Sequence, residues 1–169
     1  MNAAQRRERI LEELKVAEGP LSASALAQRL SVSRQIIVGD VALLRAAGEG
    51  ITATPRGYVL DAPRPGMVAT VACAHSGADM ERELTLMVDQ GCTVENVIVE
   101  HPVYGQLTGP LELSSRYDVA EFIRRVKECE AQPLSALTDG VHLHRLRCPD
   151  EGALERVRVA LDGAGFLVK

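Results

Sequence analysis

No run near 18 consecutive apolar residues occurs in this 169-residue chain, which argues against a membrane-spanning helix. The start, MNAAQRRER, is polar from the outset, so no secretory leader is expected and the protein is placed in the cytoplasm. The four cysteines, Cys73, Cys92, Cys129 and Cys148, include no CxxC pair. That argues against a zinc ribbon or a disulfide framework, and reduced, mostly buried thiols are expected. Neither a P-loop nor a GxSxG elbow is present, and the GAG at Gly163 to Gly165 follows a helical pattern instead of opening one. Positive net charge is missing too: at −4 the chain is no general coat for nucleic acid.

What is present suits one large or two small ordered domains, since 46% of residues are hydrophobic and 25% charged. Charge is unevenly spread. Residues 1–60 hold eight basic and six acidic side chains, net +2, which leaves −6 for the remainder.

The basic segment contains the clearest pattern. Ser22 is placed to cap a short helix over Ala23 to Leu30, in which Leu26 and Leu30 lie one turn apart. Ser31 and Val32 make a turn. Ser33 then caps a second helix whose Ile37, Val41 and Leu44 recur at spacings of four and three, one buried stripe. Its other face starts with Arg34 and Gln35. A guanidinium bonds bidentately to guanine and a carboxamide to adenine in the major groove, so this second helix is the candidate DNA reader. The alternative is a helical hairpin with a merely solvated polar face.

A helix over Arg6 to Glu18, closed by Gly19 and Pro20, completes a three-helix core. After the reading helix, Gly48 and Gly50 precede two short β runs over Ile51 to Leu60, around Thr54-Pro55-Arg56-Gly57. That hairpin is a wing, and Arg56 at its tip is either a phosphate or minor-groove contact or a solvated turn arginine. RERILEEL, LSASALAQRLSVSRQIIVGDVALLRAAG and ITATPRGYVL together resemble the winged helix-turn-helix of the biotin-repressor-like class. Gly39 departs from the pattern: mid-helix glycine costs about 1 kcal/mol against alanine and removes a side chain from the DNA face.

Asp61 to Gly66, with two prolines and a glycine, is a linker between a domain at 1–60 and one at 67–169. The second domain reads as strand Val68 to Ala74, helix Asp79 to Gln90, strand Thr93 to Glu100 and strand Gln106 to Leu113. Helix Tyr117 to Cys129, strand Val141 to Arg147, helix Glu151 to Ala164 and strand Phe166 to Val168 follow. The fold class is α+β, with helices laid on one face of a sheet.

All four histidines lie in this second domain. Strand alternation puts His142 and His144 on one face, either a two-imidazole metal grip or a pair of exposed histidines at a sheet edge. His75 ends a strand, Ser76 to Asp79 reads as a capping box, and Glu83 falls at the edge of the stripe Met80, Leu84, Met87 and Val88. A carboxylate there either finds a partner or angles out to water. A cation held by His75, Glu83, His142 and His144 would be such a partner.

ACAHSGADMERELTLMVDQG, VIVEHPVYGQLTGPLELSSRYDVAEFI and LTDGVHLHRL are similar to the three-histidine (3H) domain. Behind a winged helix, they resemble the niacin-responsive repressors of bacterial NAD-synthesis and niacin-uptake genes. The resemblance implies a homodimer that binds double-stranded operator DNA and no membrane, with nicotinic acid or nicotinamide as co-repressor. It also implies a divalent metal at His75, Glu83, His142 and His144. Zinc or nickel fits that donor set first, iron or manganese next. Ser33, Arg34, Gln35 and Arg56 are the expected DNA contacts. His101, in HPVYG, matches a further signature histidine that either lines the effector pocket or closes a turn. The competing possibility is a metal-dependent hydrolase fused to a DNA-binding domain. Against it, no second Asp or Glu stands beside the histidines as an evident general base, and a non-enzymatic regulator is expected.

Overall fold

The computed structural model of this chain describes residues 1–61 and 64–169. It divides into two compact units, Met1–Pro63 and Arg64–Lys169. Ala62 and Pro63, inside the expected linker, lie outside the described residues.

The first unit consists of α1 (Ala3–Val16), α2 (Ala23–Leu30), α3 (Arg34–Ala46) and a hairpin of β1 (Ile51–Thr54) and β2 (Gly57–Leu60). The expected start of α1 at Arg6 is too late. Asn2 forms a capping box with Gln5, satisfying the first free N–H groups and drawing the helix back to Ala3. Ser22 and Ser33 cap α2 and α3 through their hydroxyls, which accept from Ala25 N at 3.0 Å and Ile36 N at 3.3 Å. Ser31 closes α2 in a left-handed conformation. Ile10, Leu14, Leu26, Leu30, Ile37, Val41, Leu44 and Ile51 form the core. A buried isoleucine contributes about 1.5–3 kcal/mol, so Ile37 alone offsets the cost of Gly39. Asp40 also lies on the buried stripe of α3, where the periodic pattern predicts no charge. It is 4% exposed and pairs with Arg6 at 2.5 Å and Arg7 at 3.6 Å, tying α3 to α1.

In the second unit, β3 (Met67–Ala74), β4 (Thr93–His101), β5 (Gly105–Leu113) and β6 (Val141–Cys148) form a sheet ordered β3-β6-β4-β5. Every neighbouring pair is antiparallel. Consequently β3 and β4 run parallel with β6 inserted between them, a split β-α-β arrangement. Helices α4 (Met80–Val88), α5 (Arg116–Glu128) and α6 (Glu151–Gly163) join the sheet in one core. Leu84, Met87, Val119, Ile123, Val157 and Leu161 pack there on Val71, Val94, Leu113 and Leu146. Cys73, Cys92 and Cys148 are buried free thiols, whereas Cys129 is exposed.

Two expectations in this unit need correction, and one element was not foreseen. The Ser76 to Asp79 capping box does not form: Ser76 makes no side-chain cap, its hydroxyl donates to the Asp79 carboxylate at 3.2 Å, and a 3-10 turn (Gly77–Asp79) precedes α4. The last strand reduces to one bridge, Cys73 to Leu167, flanked by backbone bonds from Ala74 N–H to the Phe166 carbonyl and from Val168 N–H to the Ala72 carbonyl, both at 2.9 Å. A 3-10 turn over Leu134–Thr138, unmarked by any helical period in so short a segment, precedes β6.

Candidate functional site

Along β6 the side chains alternate, so His142, His144, Leu146 and Cys148 share the helix-facing row while Val141, Leu143, Arg145 and Arg147 take the other. Leu146 and Cys148 enter the apolar core, and the two histidines extend the same row beyond it. They are therefore buried, each 3% exposed, and the alternative of solvated edge histidines does not describe them. Position in the sheet supplies the reason: β6 is central, flanked by β3 and β4.

Helix α4 crosses this row and lowers Glu83 onto it, where the carboxylate is 1% exposed. Its first turn thus faces inward at Glu83, and the carboxylate does not angle out to water. His75 arrives from the end of β3. The Nε2 atoms of His142 and His144 lie 2.9 Å and 3.3 Å from the two Glu83 oxygens, and that of His75 lies 2.7 Å from Oε2. The His75 Nε2 is buried and, despite this approach, has no hydrogen-bond partner. The His75 and His144 rings both meet the His142 ring edge-on, with centroids 4.9 Å apart.

The opposite nitrogens settle the tautomers. Nδ1 of His75 donates to the Ser76 carbonyl at 2.6 Å, that of His142 to the Gly140 carbonyl at 2.9 Å, and that of His144 to the Asn96 carbonyl at 2.8 Å. A carbonyl oxygen only accepts, so each Nδ1 carries its ring's proton and each neutral ring presents an Nε2 lone pair to the centre. Glu83 presents lone pairs as well. Acceptors facing acceptors in a buried site require a cation between them, either protons on Nε2 or a metal ion.

Titration behaviour follows the same geometry. Burial by itself raises the Glu83 carboxyl, but the three imidazoles of His142, His144 and His75, which can donate to it once Nε2 is protonated, outweigh burial and hold the group far below the usual carboxylate range. Burial pushes His75 down, and Glu83 and the Ser76 carbonyl more than reverse this, so its imidazole sits above the ordinary value. Cys73, which the sequence reading passed over, is the cross-strand partner of His142, with its sulfur within 4.8 Å of ligand atoms of Glu83 and His142. Burial first, then Glu83, pushes its thiol up, so it borders the cluster as a neutral group. Phe166 closes another side, its ring 4.9 Å from His75 and beneath the Arg82 guanidinium. A cleft of about 560 Å³ opens beside His75, lined by Ser76, Gly77, Gln132, Pro133, Ser135 and Asp139 among others.

His101 stands outside this cluster. It ends β4, and its Nδ1 accepts from the backbone N–H groups of Val103 and Tyr104 at 3.1 Å and 3.2 Å, closing the turn into β5. In the first unit, Ser33 caps α3, and Arg34 and Gln35 are exposed beyond it. Arg56 is placed differently. It is half-buried in the wing turn, with its backbone N–H donating to Thr54 Oγ1 at 3.2 Å.

Comparison with known proteins agrees with this division. An HTH domain family matches residues 6–59 and the 3H domain family matches residues 68–169. The chain is 44% identical over 170 residues to a protein of Bacillus subtilis (strain 168) described as transcription repressor NadR, covering 98% of this chain and 94% of that one. It is 41% identical over 165 residues to a Thermotoga maritima protein described as probable transcription repressor NiaR, with the same shares covered.

Proposed function

Since this chain belongs to the 3H domain family and carries its 3H domain behind a helix-turn-helix, as an arrangement shared along nearly the whole length of two transcription repressors, we propose that it is a niacin-responsive transcription repressor. In this proposal α3 reads operator DNA, the second unit holds a divalent metal at His75, Glu83, His142 and His144, and nicotinic acid or nicotinamide is the co-repressor. The genes controlled would be those of NAD synthesis or niacin uptake. Both relatives are described as repressors, which favours a regulator over the hydrolase.

One observation carries the sensing half: the nitrogen lone pairs of three imidazoles, each fixed by a backbone carbonyl, converge on a carboxylate 1% exposed. That donor set fits zinc or nickel first, and iron or manganese next. When bound, such an ion supplies positive charge able to attract a carboxylate or a pyridine nitrogen, the two polar ends of niacin. The chain's own residues do the rest. Gly140, Ser76 and Asn96 orient the rings, Glu83 balances charge, and the cleft beside His75 gives access. Elemental analysis of protein purified without an affinity tag should find one divalent ion per chain. Calorimetric titration of nicotinic acid into chelated and remetallated protein should show binding only in the second. Equal affinity in both would make the ion merely structural.

On the DNA side, Arg34 and Gln35 stand at the exposed start of α3. Arg34→Ala should cost about 1–3 kcal/mol on an operator and relax base preference, whereas Arg56→Ala should weaken all sequences more evenly. A shift assay at fixed salt reads both, and unchanged operator affinity for Arg34→Ala would refute this reading face. One helix-turn-helix per chain reads few base pairs, so a homodimer spanning half-sites roughly 34 Å apart is expected. Light scattering at micromolar concentration tests it. Effector coupling of about 1–3 kcal/mol between the two ligands would shift DNA affinity roughly 5- to 150-fold.

A further inference from the structure

The exposed side of α3 carries more than Arg34 and Gln35. Ile36 is 41% exposed and Leu43 is 57% exposed. Seven residues apart, they stand two turns from each other on one ridge. Beside that ridge Gln35, Gly39, Ala42 and Ala46 follow at spacings of four, three and four, and all four are exposed. A Cβ at Gly39 would meet nothing within 4 Å. Arg34 and Arg45 fall on the opposite flank. The unit's own core does not draw on the ridge, because Ile37, Val41 and Leu44 already fill the inward stripe.

An exposed isoleucine in the first turn of a reading helix meets one apolar group in the major groove, the C5-methyl of thymine. We propose that Ile36 is a specificity-determining residue that packs on a thymine methyl next to the base reached by Gln35. Gly39, one turn further along the helix, leaves the groove floor unobstructed beside it. Leu43, about 10 Å along the axis from Ile36, meets a different part of the groove. The inference rests on the repressor reading and deepens it, since it names a base feature the operator must contain.

The test uses the full-length, metal-loaded protein and a duplex selected with it from a random library in the presence of nicotinic acid. Each thymine is then replaced singly by uracil, which removes only the methyl group. Burial of one methyl predicts a loss of about four-fold in wild-type affinity at one or more positions. Ile36→Ala should bind the thymine and uracil duplexes equally there, and Ile36→Val should keep a smaller thymine preference. Ile36 is exposed, so melting temperatures of the variants should match the wild type. An equal uracil penalty in wild type and Ile36→Ala overturns the inference, as does a selected duplex indifferent to uracil at every position; both leave the repressor reading intact. A selection that enriches no sequence overturns that reading and this inference with it. A change in oligomeric state on Ile36→Ala, with the uracil penalty retained, would assign the ridge to a protein contact and also overturn it.

Discussion

Replacing His142 with alanine is expected to bring the divalent metal content of the purified protein to background and to weaken nicotinic acid binding beyond detection. Effector-dependent repression should be lost with them. Loss of an outer partner alone typically costs 10- to 100-fold in metal affinity, and loss of a ligand costs more. His142 bonds Glu83 with Nε2 and the Gly140 carbonyl with Nδ1, so its removal leaves a carboxylate that is 1% exposed with one partner fewer. The damage should stay in the second unit, because the first unit's core is built only from residues up to Leu60. Weak effector-independent DNA binding should therefore persist. Elemental analysis, calorimetry and a shift assay on one preparation read these outcomes, and full metal content in the variant would remove His142 from the site.

Acidity should act on the wild-type site in the same direction. His75 sits above its ordinary value, owing to Glu83 and the Ser76 carbonyl acting against burial. In metal-free protein its protonated form therefore stabilises the fold fully below the unfolded value of about 6.5, and this contribution is lost as pH rises through the higher folded value. Glu83 has the opposite sign: held low by the three histidines against burial, it stabilises above about 4.3 and is lost as pH falls. Metal must displace the imidazole protons. The rise in melting temperature on adding metal should accordingly grow between about pH 6 and pH 8, and metal affinity should fall towards pH 6. A flat difference across that range would mean that protons and metal do not compete.

The sequence carried the helix-turn-helix and the paired histidines because both are periodic. Leu26, Leu30, Ile37, Val41 and Leu44 mark one side of their helices, and His142 and His144 share a face by alternation alone. Whether that face is buried was not legible. It depends on β6 being central in the sheet, a matter of topology between residues far apart in the chain. Nor could a sequence show that Ser76, Asn96 and Gly140 hold the rings, since they do so through backbone carbonyls that every residue type possesses. Asn96 reaches His144 beside a register shift between Val94 and Asn96 in β4, which strict alternation does not foresee. Asp40 had a signal that went unused. A carboxylate on an otherwise apolar stripe demands a buried partner, and Arg6 and Arg7 of α1 supply it.

Gly140→Ala should damage the same site without touching a ligand side chain. Gly140 has a φ of +93°, and a Cβ there would lie 2.4 Å from the His75 carbonyl oxygen and 3.2 Å from its carbonyl carbon. A left-handed conformation costs an L-residue roughly 1–2 kcal/mol, but the contact with backbone is the larger effect, because neither atom is the mobile end of a side chain. The Gly140 carbonyl accepts from His142 Nδ1 at 2.9 Å and faces the His75 backbone N–H at 3.4 Å, so any shift that relieves the clash moves the support of the His142 ring and the backbone of His75 together. Metal affinity should fall by about 10- to 100-fold, with a lower melting temperature for the second unit. Gly105→Ala separates strain from displacement. Gly105 also has a positive φ, +69°, yet a Cβ there meets nothing within 4 Å. That variant should lose about 1–2 kcal/mol of stability and keep its metal affinity. If both variants lost stability equally and both retained metal, the close approach of Gly140 to His75 would have no part in holding the site.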